Sequence, residues 1–149
     1  MKIVMNKPII AIGADHQGFV LKQSLIKVTG DITWHDVGTY NRQNSDYPLY
    51  AKEVCKLVLT GNADRGLLLC GSGIGMAIMA NRFKKIYAAL AWNTDVAQQS
   101  REHDNANILV LPADYISLKK AEDILRCWLK TEFKGNERYK RRISQLDVE

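Results

Sequence analysis

The feature that most limits how this chain can fold is an alternation of two periodicities. Short continuous apolar runs recur at Pro8 to Gly13, Ile32 to Val37, Gly66 to Cys70, Tyr87 to Ala91 and Asn107 to Leu111. Unbroken apolar runs of this length are the pattern of strands covered on both faces. Between them lie stretches with helical period: Phe19 to Val28, Tyr47 to Leu59, Gly75 to Phe83, Asp95 to His103 and Leu118 to Phe133. In the last of these, Leu118, Ala121, Leu125 and Trp128 fall on one stripe. Asp46 with Pro48 is expected to open the second helix, Gly61 to lie just past its end, and Thr94 to cap the fourth. Five β/α units in succession imply an α/β fold: a doubly wound, Rossmann-like five-stranded parallel sheet with helices on both faces. From Gly135 onward a short extra C-terminal helix is expected. No repeat or flexible linker divides residues 1–149, so they are read as one domain.

A chain of 149 residues buries roughly 70% of its unfolded surface and needs no staple. The three cysteines, Cys55, Cys70 and Cys127, show neither a CxxC pair nor Cys/His ligand spacing, so neither a disulfide framework nor a metal site is expected. No apolar run approaches the ~20 residues of a membrane span, and Ile3-Val4-Met5 is cut short by Asn6 and Lys7 before it could form a signal-peptide core. A cytoplasmic protein without membrane contact is the expectation. The positive charge is densest in the tail, where Lys134, Arg138, Lys140, Arg141 and Arg142 against Glu137, Asp147 and Glu149 leave +2 of the formal +5 on 16 residues. Tyr139 is the one aromatic there and no reading motif accompanies it, so nucleic acid is not the expected partner. The cluster reads either as a solvated face or as a local site for a small anion, and we take the second reading.

In a doubly wound sheet the ligand site lies beyond the carboxyl ends of the strands. Strand 1 there ends in Asp15-His16, strand 3 in Cys70-Gly71-Ser72-Gly73-Ile74-Gly75, and strand 4 in Trp92-Asn93-Thr94-Asp95. These segments are expected to converge. The glycine-rich segment turns sharply from strand to helix and can aim N–H groups at negative charge. It is neither a dinucleotide fingerprint, since Met76 stands where glycine is needed, nor a Walker loop, since no Gly-Lys-Ser/Thr follows. Cys70 at its mouth is either a small buried hydrophobe or a thiolate favoured by the helix dipole. Asp15 could be no more than a helix cap, and His103 no more than a surface imidazole. Cys55 and Cys127 read as core residues, and His35 as structural.

Taken together, Gly13-Ala14-Asp15-His16-Gln17-Gly18-Phe19, Asp46-Tyr47-Pro48, Leu69-Cys70-Gly71-Ser72-Gly73-Ile74-Gly75-Met76, Ala80-Asn81-Arg82, Ser100-Arg101-Glu102-His103 and the tail arginines resemble the ribose-5-phosphate isomerase B family. The resemblance runs from about Pro8 to Arg142 and extends to the superfamily that also holds the galactose-6-phosphate isomerase subunits. It implies an aldose-ketose isomerase of the pentose phosphate pathway, with no cofactor and no metal, that opens a furanose phosphate and works through a cis-enediolate. Cys70 matches the base that takes the C2 proton; one branch of the family has a carboxylate where Met76 stands, and a thioether cannot accept that proton. Gly71, Gly73 and Gly75 match the enediolate cradle, with Ser72 keeping the hydroxyl of a frequent threonine. His103 matches the ring-opening acid, Asp15 the group that assists opening, and Tyr47 a substrate-pocket aromatic. His16, Arg138 and Arg142 match phosphate ligands, the spacing of the two arginines placing them on one helical face.

Two positions depart from the family pattern. Asp104 follows His103 where the family has a substrate-contacting asparagine, which here comes one residue later as Asn105. Pro112-Ala113-Asp114 replaces a common Gly-Ser-Arg, removing one phosphate ligand, for which Arg141 is the candidate substitute. A carboxylate in an anion site repels its ligand unless turned away or protonated. The first reading is interconversion of ribose 5-phosphate and ribulose 5-phosphate. The alternatives are an isomerase of another, six-carbon aldose phosphate, or a non-catalytic phosphosugar- or nucleotide-binding module. The expected partner besides the sugar phosphate is a second copy of the chain, since the family forms homodimers or tetramers of dimers whose sites a neighbour completes.

Overall fold

The structure is a computed structural model that describes residues 7–148. The run Ile3-Val4-Met5 lies outside the described residues. Five strands alternate with helices: β1 (Ile9–Ala14), α1 (Phe19–Val28), β2 (Thr33–Asp36), α2 (Tyr47–Leu59), β3 (Arg65–Cys70), α3 (Ile74–Ala80), β4 (Ala88–Leu90), α4 (Thr94–Asp104), β5 (Ile108–Pro112), α5 (Leu118–Lys130) and α6 (Glu137–Ser144). All pairings are parallel, in the order β2-β1-β3-β5-β4. The α/β doubly wound sheet is therefore as the periodicity implies. Helices α3 and α5 end earlier than their apolar periodicity, at Ala80 and Lys130, and the tail helix begins at Glu137 rather than Gly135.

The apolar runs are continuous because the two faces of each central strand bury against different helices. In β3, Leu67 and Leu69 join a core with Ile10, Ile12, Leu25, Leu111, Ile124, Leu125 and Trp128, packed beneath α1, α4 and α5. Leu68 and Cys70 point the other way, toward Val54, Cys55, Met76 and Val110 beneath α2 and α3. The edge strands are less covered: β2 alternates exposed and half-buried residues and leaves His35 in solvent, while β4 is half-buried throughout.

Asp46 and Pro48 open α2 as expected, with Asp46 at the N-cap; its side chain accepts no cap hydrogen bond there, so the fixed φ of Pro48 is what favours that helix start. Two other local expectations are corrected. The cap of α4 is Asn93, whose Oδ1 accepts from the Val96 N–H at 2.8 Å, and Thr94 is already helical. On α5, Ile124 is buried with Ala121, Leu125 and Trp128, whereas Leu118 at the helix start is partly exposed.

Going from β1, the chain first lays β2 on one side and then β3 on the other. The carboxyl ends of β1 and β3 therefore flank the switch point of the sheet, where neighbouring connections diverge and leave a crevice. Asp15 and Cys70 stand at those two ends.

Candidate active site

The segment Cys70–Gly75 is held as a cradle from behind. The Ala113 N–H donates to the Cys70 carbonyl (2.9 Å) and the Asp114 N–H to the Gly71 carbonyl (3.0 Å). Gly73, at φ +77°, makes the left-handed turn into α3, a conformation that favours glycine. Ser72 Oγ accepts from the Ile74 N–H (3.2 Å), which leaves its own proton free to donate. The loop folds back so that the backbone N–H groups of Met76, Gly73 and Ser72 are directed at the Cys70 sulfur. These donors, the expected source of a depressed pKa, are outweighed. Burial, with a smaller contribution from the nearby Asp15 charge, pushes the Cys70 thiol above its ordinary value. The helix-dipole expectation is corrected accordingly: the thiol is 5% exposed, and desolvation of the thiolate dominates.

Around this cradle the structure gathers the β1 residues and Tyr47. Asp15 is buried, and its Oδ1 accepts from the N–H groups of Gln17 (3.0 Å) and Gly18 (3.1 Å), so it does shape the entry to α1. His16 and Ser45 bond reciprocally: the His16 N–H donates to Ser45 Oγ (3.1 Å) and the Ser45 N–H to His16 Nδ1 (3.2 Å). With Nδ1 an acceptor, the neutral imidazole carries its proton on Nε2, pointing away from Ser45. Tyr47 packs on Gly75 so closely that a Cβ there would lie 2.6 Å from its Cζ. Gly71 is likewise enclosed by the Gln17 amide oxygen and an Asp114 carboxylate oxygen, the latter 2.6 Å from where a Cβ would stand. Asp114 thus sits against the loop and is not turned away from it.

The remaining candidates lie elsewhere. Helix α4 starts at the carboxyl edge, after β4, and its 11 residues carry the chain about 16 Å back toward the start of β5. His103, in its last turn, is therefore at the opposite edge of the sheet from Cys70. There it stacks on Tyr139 of α6, with ring centroids 4.6 Å apart at 25°. Arg138 lies over the same Tyr139 ring at 5.1 Å, and Arg138 and Arg142 are both exposed. Asp104 is exposed and makes no side-chain hydrogen bond or ion pair among the described residues. Asn105 closes α4 in the left-handed region (φ +50°) and accepts from Arg101 at 3.0 Å, so it is a cap. Within one chain the structure unites Cys70, Gly71, Ser72, Gly73, Gly75, Asp15, His16 and Tyr47. It separates them from His103, Asp104, Arg138 and Arg142.

Other quoted motifs resolve into structural ties. Asn81 bonds both backbone groups of Ala88 (2.9 and 2.7 Å), fastening α3 to β4. Arg101 is buried, donates to the carbonyls of Thr131 and Ala106, and is pushed down to about 10 by desolvation. Cys55 is core, its thiol raised to about 12 by burial, while Cys127 is only half-buried. Trp92 does not join the Cys70 crevice. It lines an apolar cavity of about 460 Å³ on the other side of the loop, with Ser72, Ile74, Leu90, Pro112 and Tyr115. That cavity touches neither Cys70 nor Asp15 and offers no carboxylate, thiol or imidazole for proton transfer. Among the described residues no three of His, Cys, Asp and Glu come together as a metal would require, and no helix is long and apolar enough to cross a membrane. Sequence reasoning missed Ser45, Gln17 and the stacking role of Tyr139; each is defined by a long-range contact with no local signature.

Comparison with known proteins bears on this geometry. The profile of the family described as Ribose/Galactose Isomerase matches residues 10–146. Ribose-5-phosphate isomerase B of Escherichia coli is 35% identical over 92% of this chain and 93% of its own. A Rickettsia conorii protein named only at the level of a sugar phosphate isomerase is 40% identical over 92% of this chain and 96% of its own. The crystal structure of a ribose 5-phosphate isomerase from Thermotoga maritima superposes with a TM-score of 0.93 at 43% identity, covering 95% of this chain and 99% of that one.

Proposed function

The chain belongs to the ribose/galactose isomerase family, and from that premise we propose that it interconverts ribose 5-phosphate and ribulose 5-phosphate with Cys70 as the base. One observation carries this reading: a buried thiol faces a ring of backbone N–H groups at the sheet's switch point, with Asp15 and Tyr47 beside it. The Cys70 thiolate takes the proton from C2 and returns it to C1, while a hydroxyl proton passes from O2 to O1. Charge builds on the enediolate oxygens only during this transfer. Donors of the Gly71–Gly75 segment that wait for it contribute about 3 to 4 kcal/mol each. The Ser72 hydroxyl is the side-chain donor of the cradle. His16 presents Nε2–H to the phosphate, and Asp15 holds the ring hydroxyls during opening.

His103 as ring-opening acid and Arg138 and Arg142 as phosphate ligands are supplied by a second copy of the chain. The one-chain geometry supports this, since α4 carries His103 to the far edge of the sheet and α6, which bears the arginines, meets it there through Tyr139, and so does an exposed apolar surface at Ile74, Ile78 and Trp92 next to the cradle. A homodimer that covers this surface assembles each site from two halves. The protein then works in the cytoplasm on a diffusible substrate.

Cys70→Ala tests the assignment. Exchange of the C2 hydrogen with deuterated solvent should vanish while phosphosugar affinity stays within a few-fold; exchange near the wild-type rate would make another residue the base. Asp114 beside Gly71 favours a second reading, a different aldose phosphate such as a six-carbon one. Coupled turnover on pentose and hexose phosphates separates the two, and affinity without turnover of any sugar would identify a binding module instead.

A further inference from the structure

Helix α6 carries the two arginines assigned to the phosphate, yet little of it is buried. Tyr139 alone reaches the interior, against His103, and Arg138, Arg141 and Arg142 are exposed. Its entry is tied to α4, where the Lys134 N–H donates to the Glu102 carbonyl (3.2 Å) and Lys134 Nζ pairs with the Glu102 carboxylate (3.1 Å). Its exit is tied differently. After Ser144 the chain turns back and inserts Asp147 at the lead-in to β4. There Oδ1 accepts from the Lys85 N–H (2.8 Å), Oδ2 accepts from the Tyr87 hydroxyl (2.7 Å), and Lys85 Nζ stands 3.5 Å from Oδ2.

The receptor for this carboxylate is itself fixed. Asn107 donates from Nδ2 to the Lys85 carbonyl and accepts the Tyr87 N–H on Oδ1, both at 2.8 Å. The Asp147 side chain is 12% exposed, against 72% for its partner Lys85. The carboxyl is held below the usual carboxylate range by these donors, and the Tyr87 hydroxyl is pushed up to about 12 by burial and the facing charge. Both partners therefore keep the protonation states the bonds need across the ordinary pH range. Charge-assisted bonds of this kind are directional, and Arg142, in the last turn of α6, lies five residues before the anchored Asp147.

We propose that Asp147 is a positioning residue for the phosphate site: by clamping the exit of α6 to Lys85 and Tyr87 it sets where Arg142 presents its guanidinium. This rests on the reading of the two arginines as phosphate ligands. Freeing the exit leaves the helix attached through Tyr139 and Lys134 but lets its arginine face swing, so the phosphosugar binds less well while the proton-transfer chemistry at Cys70 is untouched.

The test is steady-state kinetics on ribose 5-phosphate for Asp147→Ala, Asp147→Asn, Tyr87→Phe, Arg142→Ala and the double variant Asp147→Ala/Arg142→Ala. Asp147→Ala should raise KM about fivefold or more with kcat within about twofold. Asp147→Asn, which keeps an acceptor for the Lys85 N–H, should recover most of that loss. Tyr87→Phe, which removes one hydroxyl from an intact ring, should raise KM by about twofold to threefold. In the Arg142→Ala background the Asp147→Ala change should add less than about twofold, because its effect runs through that arginine. A raised KM in Arg142→Ala with an unchanged KM in Asp147→Ala overturns the clamp alone. An equal effect of Asp147→Ala in both backgrounds, or a fall in kcat and melting temperature without a change in KM, also overturns it by showing a general structural role. An unchanged KM in Arg142→Ala overturns the reading of the arginines and the clamp with it.

Discussion

The thiol proposed as the base is here buried among apolar side chains, and the consequence is a pH dependence of definite sign. Only the thiolate accepts a proton, and burial moves its formation above the ordinary cysteine value of about 8.5. A raised pKa makes the thiolate a stronger proton acceptor and a scarcer species at neutral pH. Alkylation of Cys70 by iodoacetamide in the ligand-free protein should accelerate about tenfold per pH unit through neutrality and keep rising past pH ~8.5; a plateau at neutral pH would show a depressed thiol. Asp114 poses the complementary case. Its carboxylate lies against Gly71, where the proposed phosphosugar and enediolate would bring negative charge. Asp114→Asn removes that repulsion and should lower KM severalfold, measured on the phosphorylated sugar, whereas a hydroxyl-binding role for the carboxylate would raise KM instead. His103→Ala should impair turnover of the closed furanose more than that of an open-chain analogue. Equal loss on both would move His103 into the enediolate step.

Among the elements, α3 and α6 are the two short helices to which the proposed function gives a part in the site. Gly75 stands in the first turn of α3, where alanine is by about 1 kcal/mol the better helix former. A Cβ there meets the Tyr47 ring at 2.6 Å, so Gly75→Ala should leave thermal stability nearly unchanged and cut kcat/KM about tenfold or more by displacing the phenol. Unchanged kinetics would detach Tyr47 from the substrate pocket. On α6, Arg138→Ala and Arg142→Ala should each lower kcat/KM for the phosphosugar about tenfold or more, while activity on the unphosphorylated sugar changes little. Charge-assisted guanidinium contacts contribute roughly 1.5 to 3 kcal/mol each, enough for such a loss. A solvated basic face would give wild-type kinetics in both variants.

For the whole molecule the decisive fact is the separation of Cys70 and His103 by the length of α4. If two copies exchange half-sites, mixing inactive Cys70→Ala with inactive His103→Ala produces hybrids in which one site carries both defects and the other carries none. Random reassociation of a two-fold dimer then restores about a quarter of wild-type activity. A site closed within one chain restores nothing, so refolding the mixture and measuring turnover decides the architecture.

What the sequence determined by itself was the order of elements and the half of the site that belongs to loops. Continuous apolar runs alternating with helical stripes admit little besides a doubly wound parallel sheet, and such a sheet aligns the carboxyl ends of β1 and β3, so Asp15, His16 and Cys70 were bound to meet. Their meeting needs only local periodicity and the handedness of crossovers. The balance of forces on Cys70 was not legible, because a helix N-terminus is visible in a motif whereas the depth of burial depends on what packs over it. Nor was the partnership of His16 with Ser45, of Gly71 with Asp114, or of His103 with Tyr139, each a contact between segments whose spacing in the chain carries no periodic signal. Tertiary structure alone decided on which edge of the sheet each end of α4 lies, since direction along a helix converts sequence neighbours into residues about 16 Å apart.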